Sequence, residues 1–395
     1  MPRLMFYCQQ ILGMGHLVRS MEIVRGLIPN FQVCFINGGE IVEGFEIPDG
    51  TEVVNLPAIK TDSEFQELRV VDSAYTLEEV KDMRCAELLQ VFDSFQPDVL
   101  MVELFPFGRR SFSFELIPLL EHAKARGTKV VCSLRDIVVT KSDRTKHEEN
   151  ICKLMNQYFD LLLVHGDPYL QPLDETFSRV ADLNCEVKFT GYVVQPQPEP
   201  VTELPNVNAD KPLILVSVGG GRFGHELLDC VVETAPILKH QLPHQIQVFT
   251  GPFMPEWKLL ELQSKAATSP NIRVDRYTPN LLSYMQKAEL SISMSGYNTT
   301  MNVLTTGVRS MLLPFTGNDD QEQSIRAEKL AHLGVVELIR SSDLNPNEFA
   351  KKIVFYLQQQ PTQLKFDCAG VEKTAVQLKH FLQQQQQSSV EVVKA

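Results

Sequence analysis

The feature that most constrains the fold is a strand, a glycine-containing turn and a helix in direct succession, which the chain contains twice. The first copy is "LMFYCQQILGMGHLVRSMEIVRGL" at the start, and the second is "PLILVSVGGGRFGHELL" from residue 212. Around both, short apolar stretches alternate with amphipathic helical patterns, which indicates parallel sheets covered on both faces. We therefore predict an α/β protein with two Rossmann-like domains facing across a cleft, where the carboxyl ends of the strands bind ligands.

A proline-rich stretch separates the two copies. Residues 192–212 contain five prolines, which forbid a continuous helix and favour an extended linker. The sequence predicts an N-terminal domain over residues 1–194, a linker over 195–211 and a C-terminal domain over 212–375. The remaining residues, 376–395, include a run of glutamines and are predicted to be the end of a helix followed by a disordered tail.

Composition excludes several functional classes. The formal net charge of −12 argues against a nucleic-acid partner, because a phosphate backbone would be repelled. Eight cysteines include no C-x-x-C pair, which argues against zinc and thioredoxin-type sites and favours a reducing compartment. No apolar run approaches the roughly 18 residues of a membrane span. We therefore expect a cytoplasmic protein, with peripheral membrane contact left open.

The first glycine turn places a histidine at a predicted helix start. The motif "GMGHLV" has Val18 where a dinucleotide fingerprint has its third glycine, and it lacks the Lys-Ser/Thr of a P-loop. Gly13 and Gly15 allow a tight turn and a close backbone approach to a ligand. His16 then stands where a helix offers N–H donors and partial positive charge. The alternative is an ordinary first-turn residue bonded to backbone.

Charged residues follow two other predicted strands. Arg109 and Arg110 stand among phenylalanines after "DVLMVEL", and Arg135 and Asp136 end "KVVCSLRD". The arginine pair is interpreted either as a clamp for phosphate or carboxylate or as a solvated pair beside a packed aromatic cluster.

The second glycine turn indicates an anion site. Three consecutive glycines, Gly219–Gly221, between a buried strand and a helix predict a backbone nest for a diphosphate, to which Arg222 would add charge. The alternative is a flexible turn between the strand and the helix. The stretch "SMSGYNTTMN" is interpreted in the same way, as the end of a strand and the start of a helix that together bind an anion. The alternative is that Ser295 or Asn298 only caps the helix. The acidic residues of "GNDDQEQS" either contact the ligand or complement a helix dipole. No Asp-x-Asp motif marks a metal site.

With both halves considered, the chain resembles GT-B glycosyltransferases. It is similar to the branch that contains the peptidoglycan N-acetylglucosaminyltransferase, with a family 28-like C-terminal domain, and most similar to bacterial predicted glycosyltransferases. The resemblance covers most of the chain and is carried by "YCQQILGMGHLVRS", "FPFGRR", "SLRDI", "SVGGGRFG", "TGPFMP", "SGYNTTMN" and "EQSIRAEKL". It implies that the C-terminal domain binds a nucleotide-sugar donor and the N-terminal domain the acceptor.

The resemblance also assigns residues. Glu322 and Gln323 match a pair of glutamines that contact the donor, with glutamate in place of the first glutamine, and Asn302 stands where the family usually has a glutamate for the ribose. The expected donor-binding residues are Gly219, Gly220, Gly221, Arg222, Ser295, Gly296, Asn298, Thr299, Asn302, Asp320, Glu322 and Gln323. The expected residues of the acceptor side are Gly13, Gly15, Arg19, Arg109, Arg110, Arg135 and Asp136, with His16 as the catalytic residue.

Three functions follow as hypotheses. The first is a metal-independent, cofactor-free inverting transfer of a hexosyl group from a UDP-type donor to a hydroxyl acceptor, with His16 as general base. The second is hydrolysis of a nucleotide sugar, because the Gly-x-Gly-His-x-x-Arg pattern is similar to one in nucleotide-sugar hydrolases of nonulosonate synthesis. The third is a noncatalytic nucleotide-sugar-binding protein, which Asn302 motivates.

Overall fold

The structure, a computed structural model, forms two compact units. The N-terminal unit comprises Met1–Val194 and Phe366–Ala395, and the C-terminal unit comprises Gln195–Lys365. The ranges that the structure describes are 1–10, 15–42, 45–61, 68–139, 143–199, 203–317 and 321–394.

Within the described ranges, the N-terminal unit contains a parallel sheet of seven strands and a two-stranded antiparallel hairpin. The sheet strands are β1 (Arg3–Cys8), β2 (Gln32–Asn37), β3 (Thr51–Asn55), β6 (Val99–Glu103), β7 (Lys129–Arg135), β8 (Leu161–His165) and β9 (Glu186–Phe189). The hairpin strands are β4 (Ile59–Thr61) and β5 (Leu68–Val70). The helices are α1 (Gly15–Leu27), α2 (Leu77–Phe95), α3 (Ser113–Ala125) and α4 (Arg144–Tyr158).

The order of the strands creates a switch point beside β1. Across the sheet the order is β3-β2-β1-β6-β7-β8-β9, and all neighbours are parallel. The chain builds one edge from β1 to β3 and then returns to place β6 on the other side of β1. In doubly wound sheets, ligands bind at the carboxyl ends of the two strands where this reversal occurs.

The C-terminal unit repeats this plan. In the part of it that the structure describes, the parallel sheet has the order β12-β11-β10-β13-β14-β15, with the reversal between β10 and β13. Its strands are β10 (Leu213–Ser217), β11 (Gln245–Phe249), β12 (Ile272–Asp275), β13 (Leu290–Met294), β14 (Ser310–Leu313) and β15 (Glu337–Leu338). Its helices are α5 (His225–Leu238), α6 (Glu256–Ala266), α7 (Leu281–Lys287), α8 (Tyr297–Thr306), α9 (Glu322–His332) and α10 (Pro346–Leu357).

The prediction of two parallel-sheet α/β domains is confirmed, and burial explains why the pattern was visible. Every residue of the central strands β6, β8, β10 and β13 is buried. Strands covered by helices on both faces need apolar residues on both faces, so they appear in the sequence as uninterrupted apolar runs.

The end of the chain differs from the sequence interpretation. Residues 366–375, assigned from sequence to the C-terminal domain, group with the N-terminal unit. Residues 376–394, predicted to end in a disordered tail, continue the helix α11 (Gly370–Lys394). Among the described helices, none has both the length and the apolarity that crossing a membrane requires.

Backbone contacts explain where α11 lies. The N–H of Tyr192 donates to the carbonyl of Asp367 at 2.7 Å, and the N–H of Gly370 donates to the carbonyl of Tyr192 at 3.0 Å. α11 then packs against α1 through Gly26, where a Cβ would come within 2.5 Å of Val371 Cγ1. These pairings join residues far apart in sequence, so a local pattern does not contain them.

Candidate functional site

The first group of candidate residues lies at the switch point of the N-terminal sheet. β6 ends in Glu103, and its neighbour β1 precedes α1 in the chain. His16 is the second residue of α1, and Arg19 follows one turn later. His16 Nδ1 lies 2.7 Å from Glu103 Oε1, and Arg19 Nη2 contacts the same carboxylate oxygen. The end of a strand and the start of a helix thus form an imidazole–carboxylate–guanidinium cluster.

Electrostatics set the protonation states in this cluster. Burial would raise the pKa of Glu103, but its interactions with His16 and Arg19 outweigh burial, and the pKa lies well below its usual value. Burial lowers the pKa of His16 to about 3; Glu103 opposes this shift, and Arg109 and Arg135 add to it. At neutral pH the imidazole is therefore neutral and the carboxylate ionised.

The neutral imidazole has a defined tautomer. Because Glu103 only accepts hydrogen bonds when ionised, Nδ1 carries the proton and Nε2 carries the lone pair. The side chain of His16 keeps 19% of its surface exposed, whereas Glu103 keeps 1%. A partly exposed imidazole with a buried carboxylate behind Nδ1 is the arrangement of a general base, since the carboxylate stabilises the imidazolium that forms.

A strained turn follows β6 and presents Arg109. Leu104 and Arg109 adopt φ angles of 66° and 59°, in the left-handed region that costs roughly 1–2 kcal/mol for a residue with a Cβ. Nε of Arg109 donates to the carbonyl of Gln9 at 2.8 Å. The turn is anchored by buried aromatic side chains, which one of the two interpretations of the arginine pair included. They are Phe105, Phe107 and Phe112.

Arg135 belongs to the same electrostatic neighbourhood. It ends β7, and its positive charge acts on both His16 and Arg109. Arg110 differs from Arg109: it is exposed, and its charge acts on His147 of α4. The sequence treated Arg109 and Arg110 as one pair, whereas the structure directs them to different surroundings.

Asp136 and the two glycines of the first turn have other environments. Asp136 is completely buried, and a Cβ on Gly166 would come within 2.8 Å of its Cβ. Gly15 is exposed at the start of α1. Gly13 lies outside the described residues.

Sequence reasoning missed Glu103. The signal was present, because "DVLMVEL" is an apolar strand interrupted by one carboxylate at its carboxyl end. A buried charge is rarely found without a partner, and a carboxylate at that end of a parallel strand faces the loops that bind ligands. What the sequence alone did not supply was the strand order that places β6 beside β1.

The second group of residues lies at the switch point of the C-terminal sheet. Gly219–Gly221 follow β10, and Ser295 and Gly296 follow β13. Each loop leads into a helix whose N-cap is a glycine, Gly224 for α5 and Gly296 for α8, and neither helix has a side-chain cap. The N-cap of α8 is thus Gly296 rather than Ser295 or Asn298. Helix starts without a side-chain cap present backbone N–H donors to an anion.

A neighbouring loop supports the three glycines from behind. Gly251, after β11, has a φ of 93°, and a Cβ there would come within 2.5 Å of Gly220 C and Gly221 N. The N–H of Phe253 donates to the carbonyl of Gly220 at 2.9 Å. By contrast, a Cβ on Gly219 or Gly296 would meet no described atom within 4 Å. One side of the glycine loop is packed, and open space borders the other.

Gln323 ties the loops of this site together. Its Oε1 accepts the backbone N–H of Phe315 at 3.1 Å, and the hydroxyl of Ser295 donates to its carbonyl at 3.3 Å. With Oε1 engaged, the amide NH₂ is the part of Gln323 that remains to meet a ligand.

Glu322 is neutralised within its own helix. It begins α9 and is 4% exposed, and Arg326 Nη2 lies 2.8 Å from its Oε1. The Arg326 guanidinium in turn lies 5.2 Å from the ring centroid of Tyr297. Glu322, which stands where the resembled family has a glutamine, is therefore paired with a cation of its own helix, Arg326.

The other predicted donor residues occupy the first turns of α8 and the glycine loop. Asn298 and Thr299 are half-buried on α8, and Asn302, 5% exposed, donates from Nδ2 to Gln195 Oε1 at 3.4 Å. Arg222 is exposed, with its guanidinium 4.7 Å from the ring centroid of Phe253. Asp320 lies outside the described residues.

Residues 213–379 match the family described as "Glycosyltransferase family 28 C-terminal domain". The C-terminal half of the chain is thus similar to that family. This match confirms the resemblance inferred from the sequence, and the family 28 domain contains the glycine loops after β10 and β13, together with α9.

Curated relatives extend the likeness beyond the family 28 domain. An uncharacterized glycosyltransferase of Methanopyrus kandleri is 23% identical over 253 residues, which cover 60% of this chain and 67% of the relative. The UDP-N-acetylglucosamine–N-acetylmuramyl-(pentapeptide) pyrophosphoryl-undecaprenol N-acetylglucosamine transferase of Desulforamulus reducens is 21% identical over 365 residues, 87% of each chain. The similarity to known glycosyltransferases therefore extends over most of the chain.

Solved structures show the fold. The crystal structure of MurG from Acinetobacter baumannii superposes with a TM-score of 0.55 at 16% identity, covering 92% of this chain and 97% of that one. The two parallel-sheet α/β domains therefore have the GT-B fold.

Proposed function

We propose that this protein is an inverting, metal-independent glycosyltransferase that moves a hexosyl group from a UDP-linked donor to a hydroxyl acceptor. The observation that carries the proposal is the contact of 2.7 Å between His16 Nδ1 and the buried carboxylate of Glu103. It holds a neutral imidazole with an unprotonated Nε2, which can accept the proton of an attacking hydroxyl.

In the proposed reaction, His16 Nε2 accepts the proton of the acceptor hydroxyl as its oxygen attacks the anomeric carbon of the donor. The bond between that carbon and the diphosphate oxygen breaks, and its electron pair leaves with the nucleoside diphosphate. Glu103 stabilises the imidazolium until solvent takes the proton. One displacement on the face opposite the leaving group inverts the anomeric configuration.

The C-terminal unit supplies the proposed donor site. Backbone N–H groups of the Gly219–Gly221 loop and of the start of α8 would stabilise the diphosphate charge that develops on departure. The open side of Gly219 and Gly296 lets a ligand approach the backbone closely. Asn302 and Gln323 would contribute neutral hydrogen bonds to hydroxyl groups of the donor.

The N-terminal unit supplies the proposed acceptor side. Arg19 is paired with Glu103, whereas the positive charges of Arg109 and Arg135 both act on His16. Two guanidinium charges near one general base favour an acceptor that carries a negative charge close to its hydroxyl. All eight cysteines are free, which fits the expected reducing, cytoplasmic setting.

Hydrolysis is the second candidate, and the same dyad supports it, because a neutral imidazole held by a carboxylate deprotonates water as readily as an alcohol. The test is to incubate the purified protein with a panel of nucleotide sugars and to measure free sugar and nucleoside diphosphate over time. Slow release that an added hydroxyl acceptor accelerates supports transfer. Rapid stoichiometric release without acceptor supports hydrolysis.

Variants give this test its controls. Glu103→Gln keeps the size of the side chain but removes the charge that fixes the tautomer of His16, so turnover should fall by roughly 10²-fold or more. Glu148→Gln changes a buried glutamate of the same unit that lies in a separate network with Ser178 and Arg144. Turnover that falls equally in both variants, or in neither, would contradict the role of Glu103. A wild-type protein that binds no nucleotide sugar would refute the donor site.

A further inference from the structure

A completely buried ion pair lies next to the N-terminal site and takes no part in the proposed reaction. Arg84 of α2 and Glu115 of α3 both have fully inaccessible side chains. Nε and Nη2 of Arg84 donate to Glu115 Oε2 and Oε1, each at 2.7 Å. Burying two charges is costly, and apolar replacements of such pairs are often as stable or more so. A contribution to stability therefore does not explain why these two charges are buried.

The remaining donors of Arg84 show what the pair does. Nη2 also donates to Gln9 Oε1 at 2.7 Å, and Nη1 donates to the carbonyls of Gly38 and Pro57, each at 2.8 Å. With Glu115, these acceptors account for all five N–H groups of the guanidinium. Gln9 follows β1, Gly38 follows β2 and Pro57 follows β3. One side chain thus fixes three loops at the carboxyl edge of the sheet.

The network continues from Gln9 into the site. The backbone carbonyl of Gln9 accepts the hydrogen bond from Arg109 Nε at 2.8 Å, and the charge of Arg109 acts on His16. The network also requires a glycine at position 38, because a Cβ on Gly38 would overlap Gln9 Oε1 and come within 2.9 Å of Arg84 Nη2. The path from the ion pair to Arg109 therefore consists of two hydrogen bonds through a single residue.

We propose that Arg84 is a positioning residue for the N-terminal site, which it organises by fixing Gln9 and, through the Gln9 carbonyl, Arg109. Glu115 holds the guanidinium in the orientation that this task requires. This proposal rests on the proposed function in one respect, namely that Arg109 faces the acceptor. Lysine could not replace Arg84, because an ammonium group has three donors in a different geometry.

The test follows the Nε–H of Arg109 by NMR, through its rate of exchange with solvent. Its signal is assigned by its loss in Arg109→Lys. Three variants change the network. Gly38→Ala displaces the Gln9 side chain, and Gln9→Met removes the side-chain amide while keeping the backbone carbonyl. Arg84→Lys replaces the guanidinium and its five donors with an ammonium group. Tyr158→Phe is the control, because it deletes a half-buried hydroxyl that contacts Glu121 in the same unit, away from Gln9.

We expect exchange of the Arg109 Nε–H to be slow in the wild type and in Tyr158→Phe, and to be about tenfold faster in the three network variants, as expected for a lost hydrogen bond. Circular dichroism selects the variants that fold, and any one folded network variant decides the question. Wild-type exchange in a folded network variant would overturn the proposal. The experiment uses neither donor nor acceptor, so its failure leaves the proposed function standing, and inactivity toward nucleotide sugars leaves this result standing.

Discussion

The two switch points of the molecule share a topology but differ in chemistry. Beside β1 and β6 the candidate residues are charged side chains, with Glu103 holding His16 and Arg19. Beside β10 and β13 they are glycines and helix starts without side-chain caps. The first arrangement suits a proton transfer, and the second suits the binding of a diphosphate through backbone N–H groups.

This difference explains why the two halves tolerate different changes. A backbone site depends on the absence of side chains, so an added methyl group should damage it, whereas the exchange of a neighbouring charge should not. A site built from charges depends on the identity of each partner. We therefore expect substitutions in the C-terminal unit to change donor affinity and substitutions in the N-terminal unit to change turnover and its dependence on pH.

The largest effect is expected for His16→Ala. Removing the general base should lower kcat by roughly 10²–10⁴-fold while leaving donor KM nearly unchanged. The measurement is steady-state release of nucleoside diphosphate from a nucleotide sugar. Retention of the wild-type kcat in a folded His16→Ala protein would contradict the role of His16.

A second effect concerns the stability of the N-terminal unit. Burial lowers the pKa of His16 to about 3 in the folded protein. As pH falls below about 6.5, this imidazole is therefore protonated in the unfolded chain but stays neutral in the folded one. This histidine alone should therefore reduce the free energy of unfolding by about 2 kcal/mol between pH 7 and pH 5. The contribution of Glu103, whose pKa is lowered, stays constant over that range and is lost only at more acidic pH.

Urea unfolding at pH 7 and pH 5 measures this loss. His16→Gln should lose less stability between the two values than the wild type does. Some loss should remain, because burial also lowers the pKa of His165 to about 3. His332→Gln, which removes an exposed histidine, is the control. An identical loss in the wild type and in His16→Gln would contradict the environment assigned to the imidazole.

Gly251→Ala tests the backbone character of the C-terminal site. A methyl group there would collide with Gly220 and Gly221, so the loop should shift and donor KM should rise by roughly tenfold, an effect comparable to overpacking a core. Gly127→Ala is the matched control, because Gly127 also has a positive φ, of 74°, but no described atom within 4 Å of the added Cβ. Equal donor KM values in the two variants would refute the support of the glycine loop by Gly251.

The smallest effect is expected at Asn302. Asn302→Ala removes one neutral hydrogen bond and should weaken donor binding by about 2- to 10-fold. Asn302→Glu introduces the carboxylate that the resembled family usually carries, and it should strengthen binding if this residue meets the ribose. Thermal shifts with UDP compare both variants with the wild type. No change in either would remove Asn302 from the donor site.

The sequence predicted the regular elements well, because strands buried on both faces and amphipathic helices leave local patterns. It also singled out His16 and the glycines after β10 and β13. It did not reveal Glu103, the network of Arg84 or the return of α11 to the N-terminal unit. Each of these depends on contacts between residues 75 or more positions apart or on a strand order that local periodicity does not encode.

The division of labour between the two units is tested most directly by titrating UDP into the wild type, His16→Ala, Gly251→Ala and Gly127→Ala and measuring the dissociation constants by calorimetry. We predict wild-type affinity for His16→Ala and Gly127→Ala, and at least about tenfold weaker binding for Gly251→Ala. Weakened binding in His16→Ala together with wild-type affinity in Gly251→Ala would contradict the account.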